Sequence, residues 1–312
     1  MILKEPDAKT PETELKSAFV AVVGRPSAGK STLVNFFCGQ KVSIVSRVPQ
    51  TTRNAIRGVL SGDRGQLVFI DTPGRHVSEK KLNKKLAQVT DRALDDSELI
   101  LYVLDASRSP GPEETAVAAR LLPFSSRITA AINKMDHPDA DYERTLRFLK
   151  NELPLLPASR CFKISALKGE GIDPLLSALF DIAPEGEPVY PADIYTDQEI
   201  PFRIAEIIRE KAMYRLREEL PHSIYVQVED TELQQTGDGN KVLWIRAFII
   251  TERESQKGMI VGKGGEMIKS IRLAALKDLN RIYEWKVNLD LRVKTGKDWR
   301  HDDRILKKIT GT

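Results

Sequence analysis

The eight residues at positions 24–31, Gly-Arg-Pro-Ser-Ala-Gly-Lys-Ser, constrain this chain more than any other stretch. They match G-x-x-x-x-G-K-[ST], the phosphate-binding P-loop. The apolar, β-branched run at residues 18–23 is typical of a buried strand, and residues 31–37 open a helix. Such a loop turns backbone N–H groups toward one point at a helix N-terminus, where an anion binds. The stretch therefore predicts a phosphate site, against the alternative of a glycine-rich turn that matches by chance.

Two P-loop side chains have separate expected roles. Lys30 can reach the β- and γ-phosphates of a nucleotide, and the Ser31 hydroxyl can ligate Mg²⁺. The residues expected to line the phosphates are Gly24, Arg25, Pro26, Ser27, Ala28, Gly29, Lys30, Ser31 and Thr32.

Two later stretches offer further groups for phosphate and metal. In residues 49–53, Thr51 and Thr52 both carry a hydroxyl that a nucleotide switch could place on Mg²⁺ and the γ-phosphate, and we favour Thr52. Asp71 ends an apolar strand at the Walker-B position, and the backbone N–H of Gly74 is expected at the γ-phosphate. The alternatives are ordinary loop threonines and a strand-end turn. The predicted metal ligands are Ser31, Thr52 and Asp71, and the predicted catalytic residues are Lys30, Thr52, Asp71 and Gly74.

Residues 133–136, Asn-Lys-Met-Asp, follow another apolar strand about 100 residues after the P-loop and predict the base specificity. The Asp136 carboxylate can accept hydrogen bonds from N1–H and the amine of guanine, and adenine lacks this donor pair. We expect Lys134 to lie over the base and Asn133 to tie neighbouring loops together. A backbone N–H within Ser165, Ala166 and Leu167 is expected at the guanine O6.

Strands and helices alternate through this part of the chain, which predicts an α/β domain with a mostly parallel sheet and helices on both faces. The motifs lie at carboxyl ends of strands, where such sheets bind ligands. Their combination resembles a Ras-like GTPase domain. The expected strands are residues 18–23, 66–70, 99–104, 127–132 and 161–164, and the expected helices are residues 78–94, 113–122, 141–152 and 171–182.

Changes in composition divide the chain into a disordered tail (1–16), a nucleotide domain (17–182), a linker (183–201) and a second domain (202–312). The linker has four prolines and many acidic residues, so it cannot be a regular helix. Either Thr196 or Asp197 is expected to cap the helix that follows.

The second domain has the predicted order helix, two strands, helix, Gly-x-x-Gly loop, helix, strand. Gly262, Lys263, Gly264 and Gly265 form the loop. A GXXG loop clamps the backbone of about four nucleotides in a KH domain. A bare GXXG is usually just a turn, but the order of elements around it predicts the α+β type II KH fold and RNA binding by these four residues.

Composition excludes several protein classes. No apolar run approaches the ~20 residues of a membrane span, and residues 1–16 lack the apolar region of a secretory signal. With only Cys38 and Cys161, nothing suggests a disulfide framework, and we expect a reducing compartment.

The charge is distributed unevenly in the second half of the chain. Residues 241–312 hold 17 basic and 9 acidic residues, and residues 183–240 hold 5 basic and 13 acidic residues. This asymmetry is compatible with a polyanionic partner or with solvated faces of opposite charge.

A P-loop GTPase domain followed by one C-terminal KH domain resembles the Era family of ribosome-assembly GTPases. Residues 50–53, 190–198 and 298–300 are also similar to that family. The resemblance implies GTP/GDP and Mg²⁺ as cofactors, GTP hydrolysis to GDP and phosphate, and binding to the 3′ end of small-subunit (16S) rRNA during assembly of the 30S subunit. It also implies a cytoplasmic protein with peripheral association at the inner membrane. We expect a monomer.

Two positions depart from the family pattern. Ser27 stands where relatives usually carry an Asn that helps to hold a catalytic K⁺, which puts potassium stimulation in doubt. Arg75 stands where the Era family usually has an apolar residue and Ras-type enzymes have a water-orienting Gln. It is either an internal arginine finger or, as we favour, a solvent-exposed residue.

Two other functions compete with this interpretation. One is a constitutive RNA-binding protein with a structural nucleotide domain. The other is a tRNA-modification-type GTPase, which the C-terminal KH pattern disfavours because those enzymes lack it.

Overall fold

The computed structural model describes residues 14–49, 51–74, 81–237 and 239–311. The elements of the first domain are, in chain order, β1 (Lys16–Val23), α1 (Lys30–Cys38), β2 (Ile56–Gly62), β3 (Gly65–Asp71), α2 (Lys81–Asp95), β4 (Leu99–Asp105), α3 (Pro112–Leu121), β5 (Ile128–Asn133), α4 (Tyr142–Glu152), β6 (Cys161–Lys163) and α5 (Ile172–Ile182).

The strands of the first domain form one six-stranded sheet in the order β2–β3–β1–β4–β5–β6. All neighbours pair in parallel except β2, which pairs antiparallel with β3. Every residue of β3 and β4 is buried, as expected for strands that are covered on both faces. The predicted α/β class with a mostly parallel sheet is therefore confirmed.

Two buried clusters cover the two faces of this sheet. One packs Leu33 of α1 and Leu175 of α5 against β1, β3 and β4. The other packs Leu94 of α2, Val117 of α3 and Leu149 of α4 against the opposite face. Because the strands run in parallel, the carboxyl ends of β1, β3, β4 and β5 meet at one edge, and the predicted motifs lie there.

The second domain contains α6 (Ile200–Arg215), β7 (Tyr225–Gln235), β8 (Lys241–Thr251), α7 (Glu254–Val261), α8 (Glu266–Ile282), β9 (Lys286–Thr295) and α9 (Asp303–Thr310). Its sheet has the order β7–β8–β9, antiparallel between β7 and β8 and parallel between β8 and β9. Apolar residues of α6 and α8 pack on one face of that sheet, with Ile204, Ile271 and Leu279 fully buried. The predicted order of elements is confirmed.

The start of α6 differs from the sequence expectation. Glu199 occupies the N-cap position and makes no side-chain cap bond, so the prediction of Thr196 or Asp197 as the cap was wrong. Both side chains are used elsewhere: Thr196 Oγ1 donates to the carbonyl of Arg57, and Asp197 pairs with the Arg57 guanidinium at 3.0 Å.

The linker lies along the first domain. Ser17 N–H donates to the carbonyl of Pro184, and the buried Gln66 side chain accepts the N–H groups of Val189 and Tyr190. Lys16, which the sequence placed in the tail, is the first residue of β1. Within the described ranges, no helix has the length and apolarity needed to cross a membrane.

Candidate nucleotide and RNA sites

A cleft of about 430 Å³ opens at the sheet edge where the motifs meet. Several predicted site residues line it directly: Pro26, Ser27, Gly29, Lys30, Ser31, Thr32, Thr52, Gly74 and Lys134. The cleft thus brings together groups that are more than 100 residues apart in sequence.

The P-loop backbone has a conformation that only small residues permit at two positions. Gly24 has φ 151°, and a Cβ there would lie 2.3 Å from the carbonyl oxygen of Val103. Gly29 has φ 102°, and a Cβ there would lie 2.2 Å from the Asn133 amide nitrogen. Ser27 has φ 61°, a left-handed conformation that Asn adopts more readily. The loop leads directly into α1, so its amides converge at a helix N-terminus, which is an anion-binding geometry.

Lys30 is buried inside the loop. Its ammonium donates to the carbonyl oxygens of Gly24 (2.9 Å) and Arg25 (3.0 Å). Burial lowers the pKa of Lys30 to about 8, while the nearby carboxylates of Asp71 and Glu114 act in the opposite direction. A cation held in this loop is placed to balance phosphate charge.

The three predicted metal ligands converge. Ser31 Oγ donates to Asp71 Oδ2 at 2.7 Å, and Thr52 Oγ1 lies 3.1 Å from Ser31 Oγ and 3.3 Å from Asp71 Oδ2. Asp71 Oδ1 is buried and makes no hydrogen bond within the described part of the chain. Burial raises the pKa of Asp71, against the effects of Lys30 and the nearby hydroxyls. Two hydroxyls and a carboxylate with a free buried oxygen form the hard oxygen set that suits Mg²⁺.

The hydrogen bonds of Thr51 and Thr52 distinguish the two residues as candidate metal ligands. Thr52 faces the cluster and is 7% exposed, whereas Thr51 Oγ1 donates to the carbonyl of Val48 at 2.6 Å. This placement supports Thr52, the residue that we favoured from the sequence, as the candidate ligand.

The base-binding motifs form a second group of contacts. The Asn133 amide donates to the carbonyl of Ala28 at 2.8 Å and accepts the N–H of Ala166 at 2.9 Å, so it ties two loops together. Asp136 accepts a hydrogen bond from Ser165 Oγ at 2.6 Å, which lowers the pKa of Asp136. The aspartate is thereby oriented as a hydrogen-bond acceptor. Leu167 lies beside this group and is 77% exposed.

Asp105, at the carboxyl end of β4, is a site residue that we did not predict. It accepts a hydrogen bond from Lys134 Nζ at 2.8 Å and lies 3.3 Å from the Arg25 guanidinium. Burial tends to raise the pKa of Asp105, but hydrogen bonds from Lys134 and Ser107 bring it below the usual value. The carboxylate joins the P-loop to the residue expected over the base. Its strand-end position, equivalent to that of Asp71, was the available sequence signal.

Gly74 packs tightly against the P-loop. A Cβ at this position would lie 2.7 Å from Pro26 Cα, so glycine is needed for the close approach. Arg75 and the prediction about it lie outside the described residues.

The predicted RNA loop connects α7 and α8. Gly262, Gly264 and Gly265 have φ angles of 73°, 61° and 80°, which favour glycine. A Cβ on Gly264 or Gly265 would meet no described atom within 4 Å, so the loop surface is open there. Lys263 is exposed beside it. The arrangement presents backbone and one cation to an approaching phosphate chain.

Comparisons with known proteins agree with both domains. A family model described as a 50S ribosome-binding GTPase matches residues 19–134, and a KH domain model matches residues 219–300. The GTPase Era of Treponema denticola is 49% identical over 95% of this chain and 100% of its own length. The GTPase Era of Borreliella afzelii is 43% identical over 95% and 99%.

Two solved structures match the whole fold. A variant of Aquifex aeolicus Era bound to GDP and AlF₄⁻ has a TM-score of 0.88 and 33% identity over 95% of this chain and 99% of that chain. Era in complex with MgGDPNP and nucleotides 1506–1542 of 16S rRNA matches with the same values. With identities this high over nearly the full length of both chains, and with the P-loop cleft and the GXXG loop in place, this chain belongs to the Era family of GTPases.

Proposed function

We propose that this chain couples GTP hydrolysis to binding of the 3′ end of small-subunit rRNA and assists assembly of the small ribosomal subunit. The chain is an Era-family GTPase that uses GTP and GDP with Mg²⁺. The observation that carries the proposal is the convergence of Ser31, Thr52 and Asp71 within 3.3 Å in a chain that also presents an open GXXG loop.

The residues of the cleft suit phosphoryl transfer to water. Lys30 and the P-loop amides are placed to bind the phosphates and to balance the charge that develops on them. Asp136 is held as an acceptor for guanine, and Lys134 is held by Asp105. Ser31, Thr52 and Asp71 would hold Mg²⁺, which would supply positive charge to balance the phosphates. Catalysis of this kind rests on positioning and electrostatics rather than on a covalent intermediate.

The RNA assignment rests on a relative and on the loop. The solved Era complex contains nucleotides 1506–1542 of 16S rRNA, and this chain matches that structure over 95% of its length. The family description that names the 50S subunit covers residues 19–134 only, whereas the match to the rRNA complex covers 95% of the chain and so includes the KH domain. We assign RNA contact to Gly262, Lys263, Gly264 and Gly265, and the 30S particle as the partner. We infer that the protein is a cytoplasmic monomer. Cell fractionation tests the peripheral association with the inner membrane that the resemblance implies.

Crosslinking followed by sequencing of the bound RNA tests this function. Full-length protein is first crosslinked to RNA in cells. In a second experiment, purified protein is crosslinked to total RNA in the presence of GDPNP or of GDP. We expect reads concentrated at the 3′ end of small-subunit rRNA, with more of them in the GDPNP sample. Reads spread over tRNA, or equal yields with both nucleotides, would contradict the proposal, the second result favouring a constitutive RNA-binding protein.

A further inference from the structure

Two adjacent charged residues of the second domain are buried. Arg209 and Glu210 lie in the middle of α6 and are 2% and 3% exposed. Buried charges persist when they are paired and hydrogen-bonded. Arg209 is paired with Glu206 one turn earlier on the same helix. Arg209 and Glu210 also both bond to the first domain.

Glu210 bonds to the segment that precedes the threonines, residues 41–49. Its Oε1 accepts the backbone N–H of Val45 at 3.0 Å, and its Oε2 accepts from the ammonium of Lys41. Lys41 Nζ also donates to Asp278 of α8 at 2.8 Å. Two helices of the second domain therefore hold this segment.

Arg209 reaches the backbone next to the candidate metal ligand. Its guanidinium donates to the carbonyl oxygen of Thr51. On the other side of Thr52, Arg53 is buried and donates to the carbonyl oxygens of Ile224 (2.8 Å) and His222 (3.3 Å).

These contacts fix the chain on both sides of Thr52. The residue before it accepts from Arg209, and the residue after it donates to backbone carbonyls of the second domain. The hydroxyl of Thr52 has little room to move because it also lies within 3.3 Å of Ser31 and Asp71. Its position in the first domain is thus set partly by atoms of the second.

We propose that Arg209, supported by Glu210, is a positioning residue that holds Thr52 in its metal-binding orientation. The KH domain would then complete the Mg²⁺–nucleotide site of the GTPase domain. This inference rests on the proposed function of the first domain and adds a role for residues that touch neither nucleotide nor metal. Arg209 acts only through the Thr51–Thr52 backbone, so its effect should vanish when Thr52 has no hydroxyl to position.

A double-mutant cycle in the full-length chain tests this proposal. The variants are Arg209→Gln, Thr52→Ala and the two combined, and the measurement is the Mg²⁺ concentration that half-saturates binding of fluorescently labelled GDPNP. Because Arg209 donates a hydrogen bond from a charged group to the backbone next to Thr52, we expect Arg209→Gln to raise that concentration about tenfold or more. We expect Thr52→Ala to have at least the same effect and the double variant to show no further loss.

Three controls separate positioning from general damage. Arg215→Gln on the last turn of α6 loses only bonds within the second domain, to Ser270 Oγ and Lys211 O, and should leave Mg²⁺ dependence unchanged. GDP affinity should be unaffected in Arg209→Gln, whereas unfolding would lower it. If Arg209→Gln does not fold, Lys41→Met takes its place, since its side chain bonds to Glu210 and is 28% exposed.

Additive losses in the double variant, or Mg²⁺ dependence like the parent's in folded Arg209→Gln and Lys41→Met, would overturn the inference. Failure of the parent chain to bind GDPNP in a Mg²⁺-dependent way would instead refute the proposed function.

Discussion

Asp136 is the residue on which nucleotide choice depends. Its hydrogen bond from Ser165 orients the carboxylate and lowers its pKa, and an ionised carboxylate can only accept hydrogen bonds. Guanine offers two donors to such a group, and adenine would leave it unpaired. A site built to bond a particular donor rejects the ligand that lacks it by several powers of ten.

Asp136→Asn should therefore weaken GTP binding and increase affinity for xanthosine triphosphate. The reason is that xanthine has a carbonyl acceptor where guanine has an amine, and the asparagine amide can donate to it. Competition against labelled GDP measures both affinities. Equal binding of ATP and GTP by the parent chain would contradict the role of Asp136.

The roles of site residues could be predicted from sequence where a motif has a suitable side chain at the expected spacing. The hydroxyl and carboxylate types at Ser31, Thr52 and Asp71 fit the motif spacing, and the structure brings them together. Arg209 could not be predicted, because its partner at Thr51 is 158 positions away and no local pattern links them. Asp105 was missed although it ends a strand, since its role depends on Lys134 and Arg25 from separate loops.

Apolar periodicity predicted most of the helices and strands. The apolar spacing in α8 places Ile271, Ala275 and Leu279 in the core, as expected for a helix with one buried face. The antiparallel strand β2 (Ile56–Gly62) was not predicted, because it follows a long loop and its register depends on pairing with β3. The predicted N-cap of α6 was wrong because Thr196 and Asp197 instead bond to Arg57, which lies about 140 positions earlier in the chain.

The GXXG loop supports a prediction that concerns RNA alone. Gly264→Asp adds bulk and negative charge to an open surface, so single-stranded RNA binding should be lost while GTP affinity is kept. Lys263→Ala should weaken RNA binding modestly and reduce the salt dependence by about one phosphate contact. Filter binding across a salt series measures both effects. Unchanged RNA affinity in Gly264→Asp would show that the loop does not clamp RNA.

A second prediction concerns the cluster around Trp299, which precedes α9. Trp299 is fully buried, its ring centroid lies 5.0 Å from that of Tyr225, and its Nε1 donates to the carbonyl of Ser223 at 3.2 Å. Trp299→Ala should cost about 3–5 kcal/mol in the free energy of unfolding, as for other large core truncations. Urea denaturation measures this, with Trp285→Ala as a partly exposed control. A cost below about 1 kcal/mol at Trp299 would be incompatible with its packing.

The two domains are joined by more contacts than the linker alone provides. Residues 184–190 bond along the first domain, and the Thr52 segment bonds to α6. Lys81, at the start of α2, also donates to Asp303 of α9 at 2.8 Å. Thr51, which lines the cleft, and the start of α2 therefore both contact the second domain.

Linkage turns this arrangement into a quantitative requirement. If the nucleotide changes RNA affinity by some factor, RNA must change the preference for GTP over GDP by the same factor, which is typically about 5–150-fold. A chain whose two domains merely coexist would show a factor of one.

A titration of a labelled fragment of the small-subunit rRNA 3′ end into full-length protein, saturated with GDPNP–Mg²⁺ or with GDP, tests the coupling between the two domains. We predict tighter RNA binding in the GDPNP state, with RNA shifting the GDPNP-to-GDP preference by the same factor. Identical affinities in the two states, for the fragment and for the intact small subunit, would contradict a coupling between the GTPase and KH domains.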